Sequence, residues 1–590
     1  MRIAILVREA FGRSRGWSSV ALLLLIVAGL LDALALLSVA PVVDLALGPD
    51  AGAFSDLTRR IAASLQAIGV EPTFTALLVF FLAVNGAKAT VQSLSVYVIV
   101  RARYRLLLDL MRGTFADCLG ARWEFFTSRD QGTMLNVFVR DLMAVGDTFG
   151  GLARMATGTI QLAMYTAVPL YVSWQLTGIS LLAGVVLAWP FAALGRMSYH
   201  LGRRNTQAAS TLTSVFHESF GAAKLVLAFC SQRQALDRFD RAFDAHQHSF
   251  IRSQTLSRSI PPFYYPLGLT VGVLVLLSAR RLGIPLSETA VVMYSLLRVF
   301  SVIGPMMEEK HGIDASFASY ESAIAFREQA RLHSQPTGQR QFSGLARGIA
   351  LEHVSFAHPD RPPVLVDVSA ELPKGSFVAF VGESGAGKST VIDLLLGLHA
   401  PQAGRIAVDG VALLDFDIAS YRSRIGYVPQ DNVLFNASIR DNIRWARPDA
   451  TDAQIEAACG AANATEFIDQ LPDGYETVVG DRGVRLSGGQ VQRLALARAM
   501  VREPDLLLLD EATSALDSFS ERLIQQAIES IARSTTVVAI AHRLSTISNA
   551  DQIYVLSGGK VVEHGVYGAL LARGGVFSRM AGLQSLEAHG

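Results

Sequence analysis

Some stretches in the C-terminal part of the chain carry residue types and spacings suited to work on a nucleotide. Gly382-Glu-Ser384-Gly385-Ala-Gly387-Lys388-Ser389-Thr390 fits G-x-x-x-x-G-K-[ST]. In such a loop, backbone N–H groups cradle phosphates while the lysine and a hydroxyl-bound Mg²⁺ neutralise them. The run lies between an apolar strand, Phe377 to Val381, and an apolar helix, Val391 to Leu398, the context the motif requires. Further on, Leu506 to Leu509 reads as a buried parallel strand ending in Asp510-Glu511. A carboxylate at the strand end, Asp510, can hold Mg²⁺ through water. Glu511, one residue later, is placed to act as general base for a water that attacks the γ-phosphate.

Leu486-Ser487-Gly488-Gly489-Gln490, between these two motifs, resembles the signature of the ATP-binding cassette (ABC) family. The resemblance extends to Gln430 in Tyr427-Val-Pro-Gln430, similar to the family's Q-loop glutamine, which it implies as a further metal-side group. It also covers Ser514-Ala-Leu-Asp517 (D-loop), His542 in Ile540-Ala-His542-Arg (switch histidine), and Thr477 to Gly483, an exporter-type loop with Asp481 where Glu is usual. One departure concerns the adenine: the family stacks a Tyr on it, and Phe356-Ala-His358-Pro359 puts His358 there. The resemblance implies ATP and Mg²⁺ as cofactors, with Ser389, Gln430 and Asp510 on the metal side. It implies Glu511 and His542 as the catalytic pair. It also implies that Ser487, Gly488, Gly489 and Gln490 complete the site of a facing copy, so that the working unit is a homodimer.

Composition widens the picture. At 590 residues one compact domain is not expected, and 51% hydrophobic residues is high for a soluble enzyme. The excess lies in the first 310 or so residues. Val20–Leu47, Phe74–Val100, Gly150–Val172, Leu176–Ala193, Pro262–Ala279 and Thr289–Met307 are candidate spans, judged against the roughly 20 residues needed to cross a bilayer. Met1 to Arg15, rich in arginine, reads as an amphipathic surface helix, since the apolar run after it exceeds a signal-peptide core. Arginines cluster after the second span (Arg101, Arg103, Arg105, Arg112, Arg122, Arg129) and after the fourth (Arg196, Arg203, Arg204, Arg233, Arg238, Arg241), so both termini are expected on the cytoplasmic side, in a bacterial inner membrane.

The expected fold is an α-helical membrane domain of six transmembrane helices, similar to type IV ABC exporters, joined to an α/β P-loop NTPase cassette. The expected boundaries are 1–328 for the membrane domain, 329–348 for a polar linker and 349–590 for the cassette. Trp123-Glu-Phe-Phe126 through Gly132, and His217 to Lys224, fall where the family places coupling helices. Cys118, Cys230 and Cys459 imply neither disulfide nor metal site. The 52 basic and 51 acidic residues argue against a nucleic-acid partner.

Charged groups inside spans are costly; they either mark a pathway or are accommodated by snorkelling or by pairing with one another. The candidates are Asp32, Lys88 and Arg298. Leu31-Asp32 through Pro41 resembles the first span of exporters that flip lipid-linked oligosaccharides. That resemblance implies membrane-lipid partners and an amphipathic, anionic lipid substrate met by Lys88 and Arg298. A lipid A or multidrug exporter, and a channel or regulator on the same scaffold, stay open at this level. A soluble ABC-type ATPase is excluded by the apolar half, and a peptidase-containing exporter is not expected, since fewer than twenty residues stand before the first span.

Overall fold

The computed structural model describes residues 15–47, 55–67, 69–129, 131–259, 261–359, 361–480, 483–512, 517–541 and 543–587. The surface helix expected over Met1 to Arg15 lies, but for Arg15, outside them. Packing divides the chain into two units: Met1–Leu119 with Arg129–Leu332, and Gly120–Ser128 with His333–Gly590.

The first unit is helical. Its apolar runs fall in helices Arg15–Leu37 with Val39–Leu47, Phe74–Leu119, Leu142–Val172, Trp174–Gly221, Pro261–Leu282 and Leu286–Leu332. A backbone in lipid must satisfy its own N–H and C=O groups, which favours helix throughout. Among the described residues, Ser19–Asp44, Phe74–Leu119 and Leu286–Lys310 are long and apolar enough to cross a membrane by length and composition alone. The 46 residues of Phe74–Leu119 extend about 70 Å at 1.5 Å per residue, more than twice a roughly 30 Å hydrocarbon core. The same holds for the 48 residues of Trp174–Gly221 and the 47 of Leu286–Leu332, whose end runs into the stretch expected as linker. Ion pairs tie the polar extensions together: Arg103 to Asp147, Arg154 to Glu309, and Arg327 Nε to Asp117 Oδ2 at 2.6 Å.

The second unit is α/β. β1 (Gly348–Ala357), β2 (Pro363–Pro373), β4 (Ala403–Val408) and β5 (Val411–Ala412) form an antiparallel sheet in the order β2-β1-β4-β5. β3 (Phe377–Gly382), β6 (Ile425–Val428), β7 (Leu506–Asp510), β8 (Thr536–Ile540), β9 (Gln552–Ser557) and β10 (Lys560–Gly565) form a second, ordered β10-β9-β3-β8-β7-β6. In it β6, β7, β8, β3 and β9 run parallel, and β10 closes the edge antiparallel to β9. β3, β7 and β8 are buried along their whole length, as continuous apolar strands between covering layers must be. Parallel sheets gather ligand-binding loops at the carboxyl ends of their strands. Gly382 and Asp510, the last residues of β3 and β7, sit at those ends, with only β8 between them.

Candidate functional site

The nucleotide site is built on the turn after β3. Gly387 caps the helix Lys388–Leu395 with φ of 97°, a left-handed conformation that glycine adopts freely. A Cβ there would also press on Leu365 and on the Val364 carbonyl. Gly382 and Ala386 are buried, while Ser384 and Gly385 are exposed at the tip. Lys388 is buried, and its Nζ donates to the carbonyls of Gly382 and Glu383 at 2.9 Å each. Burial holds its pKa below the usual lysine range, against the pull of Glu511 and Asp510. Ser389 Oγ, exposed, donates to Asp510 Oδ1 at 3.2 Å, and Thr390 is buried behind it.

The carboxylates converge on this point. Burial raises the Asp510 pKa, opposed by the Ser389 hydrogen bond. Gln430 Nε2 donates to Glu511 Oε2 at 2.9 Å. Glu511 itself has φ of 50°, uncommon for a residue with a Cβ, and its N–H donates to the Ile540 carbonyl at 3.1 Å. That turn takes its side chain off the β7 line and toward Gln430. Ser389 with Asp510, and Gln430 with Glu511, thus form two hydrogen-bonded pairs at the end of β7, and their oxygens are of the kind suited to a hard cation such as Mg²⁺.

Asp393, on the helix after the loop, was not among the expected site residues. Burial, then the Asp510 charge, push its pKa up to about 6. A carboxylate on the helix Lys388–Leu395, otherwise mostly buried, is the sequence signal that could have marked it.

The signature residues stand at a helix start. Ser487 caps Gly488–Met500 in a reciprocal capping box with Gln490: Ser487 Oγ accepts from the Gln490 N–H at 3.3 Å, and Gln490 Oε1 accepts from the Ser487 N–H at 2.9 Å. Ser487 and Gly488 are exposed; a Cβ on buried Gly489 would collide with the Ser520 side chain. Gly488 and Gly489 therefore present helix N-terminal amides without side chains in front of them, a ready anion cradle. His542, Asp481 and Ser514 to Leu516 lie outside the described residues.

His358 has its ring edge-on to Phe356 at 5.0 Å and to His399 at 5.4 Å between centroids. His399 Nδ1 in turn meets Glu124 Oε1 at 3.4 Å. Glu124 belongs to the short helix Trp123–Thr127, which packs within the second unit although its sequence lies amid the membrane helices. A cavity of about 290 Å³ opens beside this chain, with Arg122, Glu124, Phe356, Pro359 and His399 in its wall. Two of these groups, His399 and Glu124, join His358 to the first expected coupling helix. The second expected coupling segment, His217 to Lys224, spans the end of Trp174–Gly221 and the start of Ala223–Ala228.

In the first unit the intramembrane charges are not scattered. Asp32 is fully buried and ion-paired to Lys88. Tyr165 Oη donates to Asp32 Oδ1 at 2.9 Å and Gln161 Nε2 to Oδ2 at 3.3 Å. Lys88 Nζ also lies 6.0 Å from the centre of the Tyr165 ring. Arg298 Nε donates to Tyr294 Oη at 3.1 Å, and its guanidinium lies 5.0 Å from that ring's centre. Tyr165 and Tyr294 share one apolar cluster with Leu36 and Val291, which brings both groups to one region. Among the described residues no carboxylate lies within ion-pairing distance of Arg298. Gln161, Tyr165 and Tyr294 were not anticipated, although the i, i+4 spacings of Gln161–Tyr165 and Tyr294–Arg298 place each pair on one helix face.

Comparison with known proteins now adds to the geometry. Residues 19–303 match the family model for the ABC transporter transmembrane region, and residues 365–514 the family model named ABC transporter. The Heterocyst differentiation ATP-binding protein HepA of Nostoc sp. is 34% identical over 80% of this chain and 78% of its own length. The ATP-dependent lipid A-core flippase of Chromobacterium violaceum is 33% identical over 82% of this chain and 83% of its own. Among solved structures, a bacterial Atm1-family ABC exporter with ATP bound aligns with a TM-score of 0.77 at 26% identity, covering 97% of this chain and 98% of that one.

Proposed function

Because the chain belongs to the ABC transporter family, as a multi-pass membrane ATPase whose ATP use is coupled to transport, we propose that two copies of it move an anionic amphipathic lipid from the inner leaflet outward. The observation that carries the substrate class is Arg298. It is a cation deep in the apolar helix Leu286–Leu332 whose described polar partner is a tyrosine hydroxyl. A guanidinium in that setting favours a phosphate, which it can grip through two N–H groups. Lys88 supports the same region differently: its charge is matched by Asp32, so it sets the position of the pair and of Tyr165. Lipid A and lipid-linked saccharides both offer the required chemistry, and the flippases among the relatives favour the former.

On the ATP side, Gly382 to Thr390 would hold the phosphates, and Ser389, Gln430 and Asp510 would hold Mg²⁺. That ion would neutralise charge on the phosphate oxygens. Glu511 would take a proton from the attacking water, with His542 beside the transferring phosphate. Ser487, Gly488 and Gly489 would cap the phosphate from the facing copy. Closure of two such sites, and their release on hydrolysis, supplies the differential affinity that switches the spans between two states. The arginine-rich segments support cytoplasmic termini in a bacterial inner membrane.

The test is ATPase activity of the purified chain in liposomes titrated with lipid A, a polyprenyl-pyrophosphate saccharide and a cationic amphiphile. Stimulation by an anionic lipid, lost in Arg298→Gln with basal activity intact, is expected. Stimulation by the cationic compound alone would transfer the assignment to a multidrug exporter.

A further inference from the structure

We propose that Trp17, Tyr97, Arg101 and Arg105 form a binding site for the phosphate of an anionic membrane phospholipid, separate from the transported substrate. The apolar stretch of the helix Phe74–Leu119 reaches Val100, and Arg101 is the next residue. A bilayer crossed by that apolar stretch would put Arg101 at the headgroup boundary. Trp17 stands near the start of the helix Arg15–Leu37, which carries the first span. Tryptophan and tyrosine favour this depth because one end of the ring is apolar and the other wet.

The two arginines share one aromatic ring. The guanidinium carbon of Arg101 lies 4.8 Å from the centre of the Trp17 ring, and that of Arg105 lies 5.1 Å from it. They are i and i+4 on one helix, so they project from one face. Arg101 also donates to Tyr97 Oη at 2.7 Å, and both arginines are exposed. A contact with the ring uses none of a guanidinium's N–H groups, so Arg105, and Arg101 beyond its bond to Tyr97, keep donors for a bidentate acceptor. Two like charges gathered at one ring repel, and an anion held between them relieves that repulsion. Among the described residues no carboxylate pairs with either. The contrast is Arg103, on another face of the same helix, which is paired with Asp147. An anion supplied at this depth is a lipid phosphate, and the flanking aromatic residues match its position.

The experiment uses the full chain in nanodiscs of phosphatidylcholine with a minority of phosphatidylglycerol. Phosphatidylglycerol retained after detergent extraction is counted by native mass spectrometry. In Arg101→Gln/Arg105→Gln, retention is expected to fall roughly thirtyfold, about fivefold for each basic side chain at an anionic surface. Trp17→Leu, which keeps both charges, should also lose retention, and serves as the reading if the double variant fails to fold. Arg298→Gln removes whatever lipid the substrate region holds, so the loss caused by Arg101→Gln/Arg105→Gln should be as large in an Arg298→Gln background as in the unmodified chain, which keeps this site distinct from the substrate reading. Unchanged retention in both the double variant and Trp17→Leu overturns the proposal. So does a double-variant loss that vanishes in the Arg298→Gln background, or full displacement of the lipid by free inorganic phosphate.

Discussion

Glu511 is where backbone and chemistry meet most closely. Its left-handed φ carries a modest conformational cost, held in place by the N–H bond to Ile540 and the Gln430 contact. Replacing it with Gln keeps the shape and removes the proposed base. Glu511→Gln should bind ATP normally but hydrolyse it about 10² to 10⁴ times more slowly, measured by single-turnover hydrolysis; near-normal turnover would remove Glu511 from the mechanism. Asp393 makes a second, opposite case. Its carboxyl is harder to ionise in the folded chain than in the unfolded one, 3.8 rising to about 6. The folded state therefore holds the extra proton, and the penalty for its charge grows as pH rises between those values and is complete above them. Asp393→Asn should raise the melting temperature above pH 6 or so, by about 2–4 °C for each kcal/mol recovered, and change little near pH 4. A larger gain at acid pH would refute the sign. The placement of the loop Gly382 to Thr390 beside Asp510 was legible in sequence, because a motif of fixed spacing between an apolar strand and an apolar helix marks the strand end. Asp393 and Tyr165 were not, because each acquires its role from a partner far along the chain.

Among elements, the short helix Trp123–Thr127 has the clearest physical argument. Phe125 is almost fully buried and stands 6.2 Å from His333, while Glu124 reaches His399. The sequence placed a coupling helix here by resemblance, and the structure packs it with the second unit. What spacing could not show is the polar link behind it, since Glu124 and His399 are 275 residues apart. The groups facing His399 are Glu124, His358 and the Phe356 ring. Burial lowers the His399 pKa below its ordinary 6.5; Glu124 acts in the other direction, and His358 adds to the lowering. A histidine that is neutral when folded contributes stability that is present above its unfolded pKa and lost as pH falls. Between about pH 7 and pH 5 the chain should therefore lose thermal stability, and His399→Asn should flatten that slope. An unchanged slope in His399→Asn would place the pH dependence elsewhere. Phe125→Ala should be more severe, costing roughly 3–5 kcal/mol of local packing as a buried aromatic truncation does, and should lower substrate-stimulated more than basal ATPase.

At the scale of the whole molecule, the P-loop and the signature helix are each complete, and the question is which copy each serves. Ser487 and Gly488 are exposed, and the Gly488–Met500 helix offers its amides outward from the second unit. An anion cradle directed away from its own core suits a phosphate held by another chain. A two-fold pair would then contain two composite sites, each with the P-loop of one copy and Ser487 of the other. The arrangement can be separated from a self-contained site by mixing two defective chains. Lys388→Ala removes phosphate binding but leaves Ser487; Ser487→Arg blocks the cradle but leaves Lys388. Neither variant alone should trap nucleotide. Mixed in equal amounts before reconstitution, half the dimers are mixed, and each mixed dimer contains one composite site with both parts intact. Trapped nucleotide should therefore return to roughly a quarter of the unmodified level if sites are shared across a two-fold interface. If each chain completed its own site, every site in the mixture would carry one defect and none would trap nucleotide, so a null result would reject the shared arrangement.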